Sequence, residues 1–207
     1  MQTKAARAVY KIFEENLIVS SITFHGGTNS ITYPWGSNNH LAGSWNKGAE
    51  APDHVALHSQ ASVLSTAAGP SFEAANGQKV TQYPYGDMTS VVYPVGGGLE
   101  DWAYGAGWDT APEAALKQCS PKTYPLEENF FGSQDHIATA IYLIEMDDQK
   151  SPPEGSYGSR LKISEGESQF VSLWSVLDSE YNGHINRNIR TMLALVDQAK
   201  PYIQILS

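Results

Sequence analysis

The sequence predicts an α/β fold, and three stretches carry that expectation. Between Ala5 and Asn16 the apolar residues Ala5, Ala6, Val9, Ile12 and Phe13 recur at helical spacing, with Lys4, Lys11, Glu14 and Glu15 on the other side. This surface helix runs almost directly into residues 17–24, a run rich in β-branched residues and too short for a buried helix, which reads as a strand ending at His25. Residues 137–144, Ile-Ala-Thr-Ala-Ile-Tyr-Leu-Ile, form a second strong strand pattern that ends at Glu145. Helices feeding strands in this way imply a layered α/β domain.

The remaining elements follow in order. Residues 37–48 are rich in Gly, Ser and Asn and read as a loop. Asp53 is placed to cap a helix over residues 54–67, with Val55, Val63 and Leu64 on its apolar face. Residues 90–93, Ser-Val-Val-Tyr, read as a short strand before the run Gly96-Gly97-Gly98. Ser151-Pro152-Pro153-Glu154-Gly155 breaks the chain after the long strand. Near the end, Ile185, Ile189, Met192, Leu193, Val196 and Ala199 make a helical stripe stopped by Pro201. No internal repeat is present, and one domain over residues 1–207 is the expectation.

Composition narrows the functional classes. The chain has 207 residues, 22 acidic against 13 basic, and a formal charge of −9. Such a balance repels a phosphate backbone, so no nucleic acid partner is expected. Cys119 is the single cysteine, which rules out an intrachain disulfide and cysteine-rich zinc fingers. The first residues lack the apolar h-region of a secretory signal. No apolar run approaches the roughly 18–20 residues that cross a bilayer, so no membrane span is expected.

Several residues could carry chemistry. His25 ends a strand and is followed by Gly26-Gly27, where α/β sheets place ligands and where a backbone can approach closely. It reads either as a metal ligand or as a hydrogen-bonded packing residue. The segment Tyr93-Pro94-Val95-Gly96-Gly97-Gly98-Leu99-Glu100-Asp101-Trp102-Ala103-Tyr104 has no Gly-Lys-Ser/Thr, and no helix is expected to follow its glycines, so a phosphate loop is not expected. Its acids, aromatics and hydroxyls could line a peptide pocket or form a structural loop. Glu145 closes an apolar strand and reads as a general base or as a solvated strand end. His54 and His58 stand four apart on a predicted helix, a spacing that can chelate metal, yet Val55 stands where His-Glu-x-x-His has glutamate. Ser62 and Ser65 belong to no Gly-x-Ser-x-Gly elbow.

Taken together, Phe24-His25-Gly26-Gly27 followed by Tyr33-Pro34-Trp35-Gly36 resembles the third zinc-ligand segment of the metallocarboxypeptidases, of the carboxypeptidase A, B, D and E type. Tyr83-Pro84-Tyr85-Gly86, then Tyr93 through Tyr104, resembles the substrate-pocket loop of that family, and Leu143-Ile144-Glu145 its catalytic-glutamate strand. The closing helix at residues 184–190 and the exit at Pro201-Tyr202-Ile203 are similar to the end of the same domain.

The resemblance implies a mixed β-sheet with helices on both faces, and a zinc-dependent hydrolase that removes the C-terminal residue of peptides or proteins. It implies Zn2+ as cofactor, His25 as a zinc ligand, Glu145 as general base, Tyr93 as a mobile cover on the substrate, and Glu100 at the floor of the specificity pocket. An extracellular or lumenal setting is implied in the same way. The chain departs from the pattern in two respects, the first being that none of its six histidines has glutamate three residues later, so the His-x-x-Glu ligands and the arginines that follow them are missing. A catalytic zinc takes three protein ligands. The expectation is therefore the C-terminal half of a catalytic domain, incomplete at the N-terminus and inactive alone. The rival reading is a non-catalytic peptide-binding pseudo-peptidase. The long spacing from Asp101 to Glu145 implies an insertion, and leaves Glu113 as an alternative base.

Overall fold

The computed structural model describes residues 3–16, 18–73, 79–105, 139–147 and 184–200. Their order is α1 (Lys4–Glu15), β1 (Ser20–His25), β2 (Thr28–Tyr33), a short 3-10 turn (Asn38–His40), α2 (His54–Ala68), β3 (Phe72–Glu73), β4 (Lys79–Val80), β5 (Tyr85–Asp87), α3 (Met88–Val91), α4 (Leu99–Gly105), β6 (Ala140–Asp147) and α5 (His184–Gln198). Four strands form a sheet in the order β1-β6-β2-β5, and β3 pairs with β4 antiparallel. The expected α/β class is met. Glu113 and Cys119 lie outside the described residues.

The directions of the central strands follow from side-chain contacts. Ser20 Oγ donates to the Ala140 carbonyl, and His25 meets Glu145, each pair 120 residues apart in sequence. A constant offset means that β1 and β6 run parallel. On the other side of β6, Thr32 Oγ1 donates to the Leu143 carbonyl while the Tyr33 ring meets that of Tyr142. Those partners step in opposite senses, so β2 and β6 are antiparallel, and the sheet is mixed.

β2 is a strand that the sequence pattern did not announce, because Thr28-Asn29-Ser30 gives it a polar start. It follows β1 after only Gly26 and Gly27, yet β6 lies between the two. The link must therefore cross two strand spacings, about 9.5 Å. Three Cα–Cα steps from His25 to Thr28 reach at most about 11 Å. The link is thus nearly taut, and Gly27 takes a φ of 142°, a value that disfavours any side chain.

The chain divides into two compact units: Met1–Thr23, Thr32–Ser59 and Gly86–Leu143 in the first, Phe24–Ile31, Gln60–Tyr85 and Ile144–Ser207 in the second. In the first, the Thr3 hydroxyl caps α1 by accepting from Ala6 N–H at 3.1 Å. Phe13, Ala103 and Ile141 form a core cluster, with Val9, Ile18, Leu99 and Trp102 against it. Trp102 meets Phe13 edge-on at 5.6 Å. Ala5 and Ile12, expected on the same stripe, face outward.

In the second unit, α5 docks mainly through polar groups. Arg187, Asn188 and Thr191 are buried with Leu195, whereas Met192 is exposed and Leu193 and Val196 are each 62% exposed. The expected apolar stripe is thus corrected. Arg187 lies 4.4 Å above the Tyr83 ring and donates to the Thr81 carbonyl, and burial lowers its pKa. Asn188 donates to the Tyr83 hydroxyl, which donates in turn to the Met146 carbonyl. Arg190 donates to the carbonyls of Ala67 and Ala68, closing the C-terminus of α2.

Two further expectations change. Residues 90–93 are not a strand: the Asp87 carboxylate accepts from Ser90 N–H and caps α3, which ends at Val91. The buried face of α2 is Leu57, Ala61, Leu64 and Ala68, while Val55 is 82% exposed and Val63 also faces outward. Leu64 is buried as expected, but both faces of α2 carry small or apolar residues, and periodicity placed Val55 and Val63 on the wrong one. Leu64→Ala is expected to lower unfolding free energy by about 2–5 kcal/mol, and Val55→Ala to change it by less than about 0.5 kcal/mol; urea unfolding of the two variants checks the reassigned face.

Candidate active site

His25 and Glu145 are brought together. His25 Nδ1 lies 3.0 Å from Glu145 Oε2 and 3.1 Å from Oε1, so a hydrogen on Nδ1 is shared between both carboxylate oxygens. The Glu145 side chain is 7% exposed and that of His25 53% exposed. Parallel pairing of β1 and β6 sets the two residues at one level, and the taut glycine link leaves the imidazole open. Glu145 lies inside β6, which continues to Asp147, rather than at its end.

A buried carboxylate against a half-exposed imidazole can accept and return a proton, and the imidazole can offer a lone pair to a cation. The pair amounts to one ligand and one base. Among the described residues no group of three or more His, Cys, Asp or Glu could hold a metal ion. These residues alone do not fit a zinc site that needs three protein ligands.

Tyr93 and Glu100 belong to the first unit. Tyr93 follows α3 and is about half exposed. Glu100 is fully buried in the first turn of α4, a helix that was not expected after the glycine run. A Cβ added at Gly98 would run into the Glu100 carboxylate, which would have to shift.

Asp101 is the residue that sequence reasoning passed over. Its carboxylate accepts from Gly36 N–H at 2.9 Å and from Ser37 N–H at 2.6 Å. The loop after β2 is held from other sides too. Thr89 N–H donates to the Trp35 carbonyl, and both the Thr89 hydroxyl and Val95 N–H donate to the Gly36 carbonyl. Trp35 is buried and stacks on His40 at 3.9 Å. Asp101 is next to Trp102 and Tyr104 in the quoted pattern, but its partners are backbone amides, which leave no mark in sequence. Asp53 was expected to cap α2; its carboxylate accepts from the Tyr104 hydroxyl at 2.8 Å.

The family model of the zinc carboxypeptidases matches residues 2–140, well over half of the chain. The chain belongs to that family. The matched span of this zinc carboxypeptidase family member includes His25, Tyr93, Glu100 and Asp101, and ends just before Glu145. No curated protein and no solved structure matches the chain.

Burial pushes the Asp101 carboxyl up from 3.8 to about 7, with the neighbouring Glu100 adding to the rise and the amides of Gly36 and Ser37 opposing it. A folded-state value above the unfolded one means that the native protein holds the proton more tightly. The resulting stability is complete below about pH 4 and is lost as pH rises through about 7. Thermal unfolding between pH 4 and 8 should show this fall in the natural protein, and Asp101→Asn should flatten it whatever its baseline stability.

Proposed function

We propose that the protein contributes the general base and one metal ligand to a carboxypeptidase site that hydrolyses the C-terminal peptide bond of peptides or proteins. The observation that carries this reading is the contact of His25 with Glu145 at 3.0 Å, two residues to which the sequence resemblance assigns the zinc ligand and the base. Zinc is the metal of this reading: when bound it would polarise the scissile carbonyl and acidify its water.

The work of this chain's own residues is to hold and move a proton. Glu145 takes it on a carboxylate oxygen and returns it to the leaving amine, a role typically worth about 10²–10⁴ in rate. Its burial limits the orientations that the carboxylate can adopt. Tyr93 covers the bound C-terminal residue and excludes water. Glu100 supplies negative charge to a cationic C-terminal side chain, a pairing that is strong when desolvated.

The test uses a domain that includes a His-x-x-Glu segment together with this chain. Glu145→Gln should retain fold and zinc while lowering kcat by two or more decades, and Glu113→Gln should be nearly silent. Near-normal turnover in Glu145→Gln would sink the base assignment. For specificity, the same domain should release C-terminal lysine or arginine faster than phenylalanine, and Glu100→Gln should remove most of that preference. An unchanged preference would take Glu100 out of substrate recognition.

A further inference from the structure

Glu145 has a strand on each side of it, because β6 lies between β1 and β2. His25 answers it from β1. The position that faces it from β2 follows from the register. Thr32 meets Leu143 and Tyr33 meets Tyr142, and in an antiparallel pair each step back along one strand is a step forward along the other. Two further steps set Ser30 opposite Glu145, and the same count sets Thr28, the first residue of β2, opposite Asp147, the last of β6. Residues directly opposite each other project to the same face, with Cβ atoms about 4.5–5.5 Å apart.

Both groups are buried, and neither is fully satisfied. Ser30 is fully buried, and among the described residues its hydroxyl has no hydrogen-bond partner. Thr32, next on the same face of β2, gives its hydroxyl to the Leu143 carbonyl, so the unmet donor is particular to Ser30. Across from it, the Glu145 carboxylate has room for about four donors, and among the described residues it meets the His25 imidazole alone. Leaving a buried hydroxyl unpaired is destabilising, and a buried carboxylate short of donors is more so. Serine has three staggered positions about its Cα–Cβ bond, which lets Oγ turn towards the strand that carries Glu145.

We propose that Ser30 is a positioning residue for Glu145, its hydroxyl donating to the carboxylate from β2 as the imidazole does from β1. The two donors are not equivalent. The His25 side chain is half exposed, so water competes for its bond, whereas the serine hydroxyl is shielded and holds the carboxylate whichever way the imidazole turns. The consequence for catalysis rests on the reading of Glu145 as general base: a carboxylate fixed from two sides keeps a lone pair aimed at the proton that it must take.

The contact is tested in the 207-residue protein by a double-mutant cycle read by urea unfolding. Ser30→Ala should raise the unfolding constant about tenfold in the natural background, as expected for a hydrogen bond to a charged acceptor, and less than about threefold in the Glu145→Met background. An equal change in both backgrounds gives the hydroxyl to another group, and no change in the natural background leaves it unpaired; either overturns the proposal. If Glu145→Met does not fold, a crystal structure of the natural protein decides. Ser30 Oγ at about 2.5–2.7 Å from a Glu145 oxygen supports the contact, and a separation beyond about 3.5 Å, or a water between the two, overturns it. In the domain that includes a His-x-x-Glu segment, Ser30→Ala should lower kcat about tenfold with KM changed less than about twofold, and Ser30→Thr, which keeps the hydroxyl, should restore most of the loss. If kcat holds in Ser30→Ala while Glu145→Gln still costs about two decades, the positioning role is overturned. If Glu145→Gln is near normal as well, the base assignment falls, and the cycle alone decides the contact.

Discussion

The insertion of β6 between β1 and β2 is the constraint on which the candidate site depends. Two strands adjacent in sequence would ordinarily pair through a tight turn. Here they are held apart, so that the first meets β6 in parallel and the second meets it antiparallel. The His25 side chain then has Glu145 as its neighbour at 3.0 Å. The two glycines that follow His25 are the means: they allow a nearly extended crossing, and one has the φ of 142° that a side chain would resist.

A second layer of constraint lies beyond Tyr33. Amides and carbonyls of Trp35, Gly36 and Ser37 find partners on α3, on the segment at Val95 and on Asp101 of α4. A loop whose backbone groups are answered from three separate segments has little freedom to drift. The link between β2 and α4 depends on a buried carboxylate, and its proton affinity reflects the opposition between burial and amide donors.

Much of this was legible in the sequence, for definite reasons. α1, β1, β6 and the His25 and Glu145 positions follow from strong periodicity joined to a resemblance in ordered motifs. β2 was not, because its first three residues are polar and its later ones gain their burial from β6, some 110 residues away. The orientation of α5, and that of α2 at Val55 and Val63 though not at Leu64, was misread for one shared reason. Apolar spacing identifies a helix, but the buried face of α5 is fixed by Arg187 on Tyr83 and by Arg190 on the carbonyls of Ala67 and Ala68, contacts with no periodic signature. Asp101 was visible as part of a pattern, yet its role as an acceptor for backbone amides emerges only in three dimensions.

The 120-residue separation of His25 and Glu145 has a consequence for how the protein comes into being. Closing a loop of that length costs about 4 kcal/mol of chain entropy beyond a constant, and parallel pairings of this kind form slowly. A chain emerging from the ribosome would already contain the residues of α1, β1 and β2 while the strand that belongs between the latter two was still unsynthesised. Until β6 arrives, the facing edges of β1 and β2 present unpaired amides and carbonyls, the kind of surface that recruits strands from other chains. The arrangement that sets an imidazole beside a carboxylate thus leaves the nascent chain with an open slot in its sheet, and makes this interval the one most exposed to misassembly.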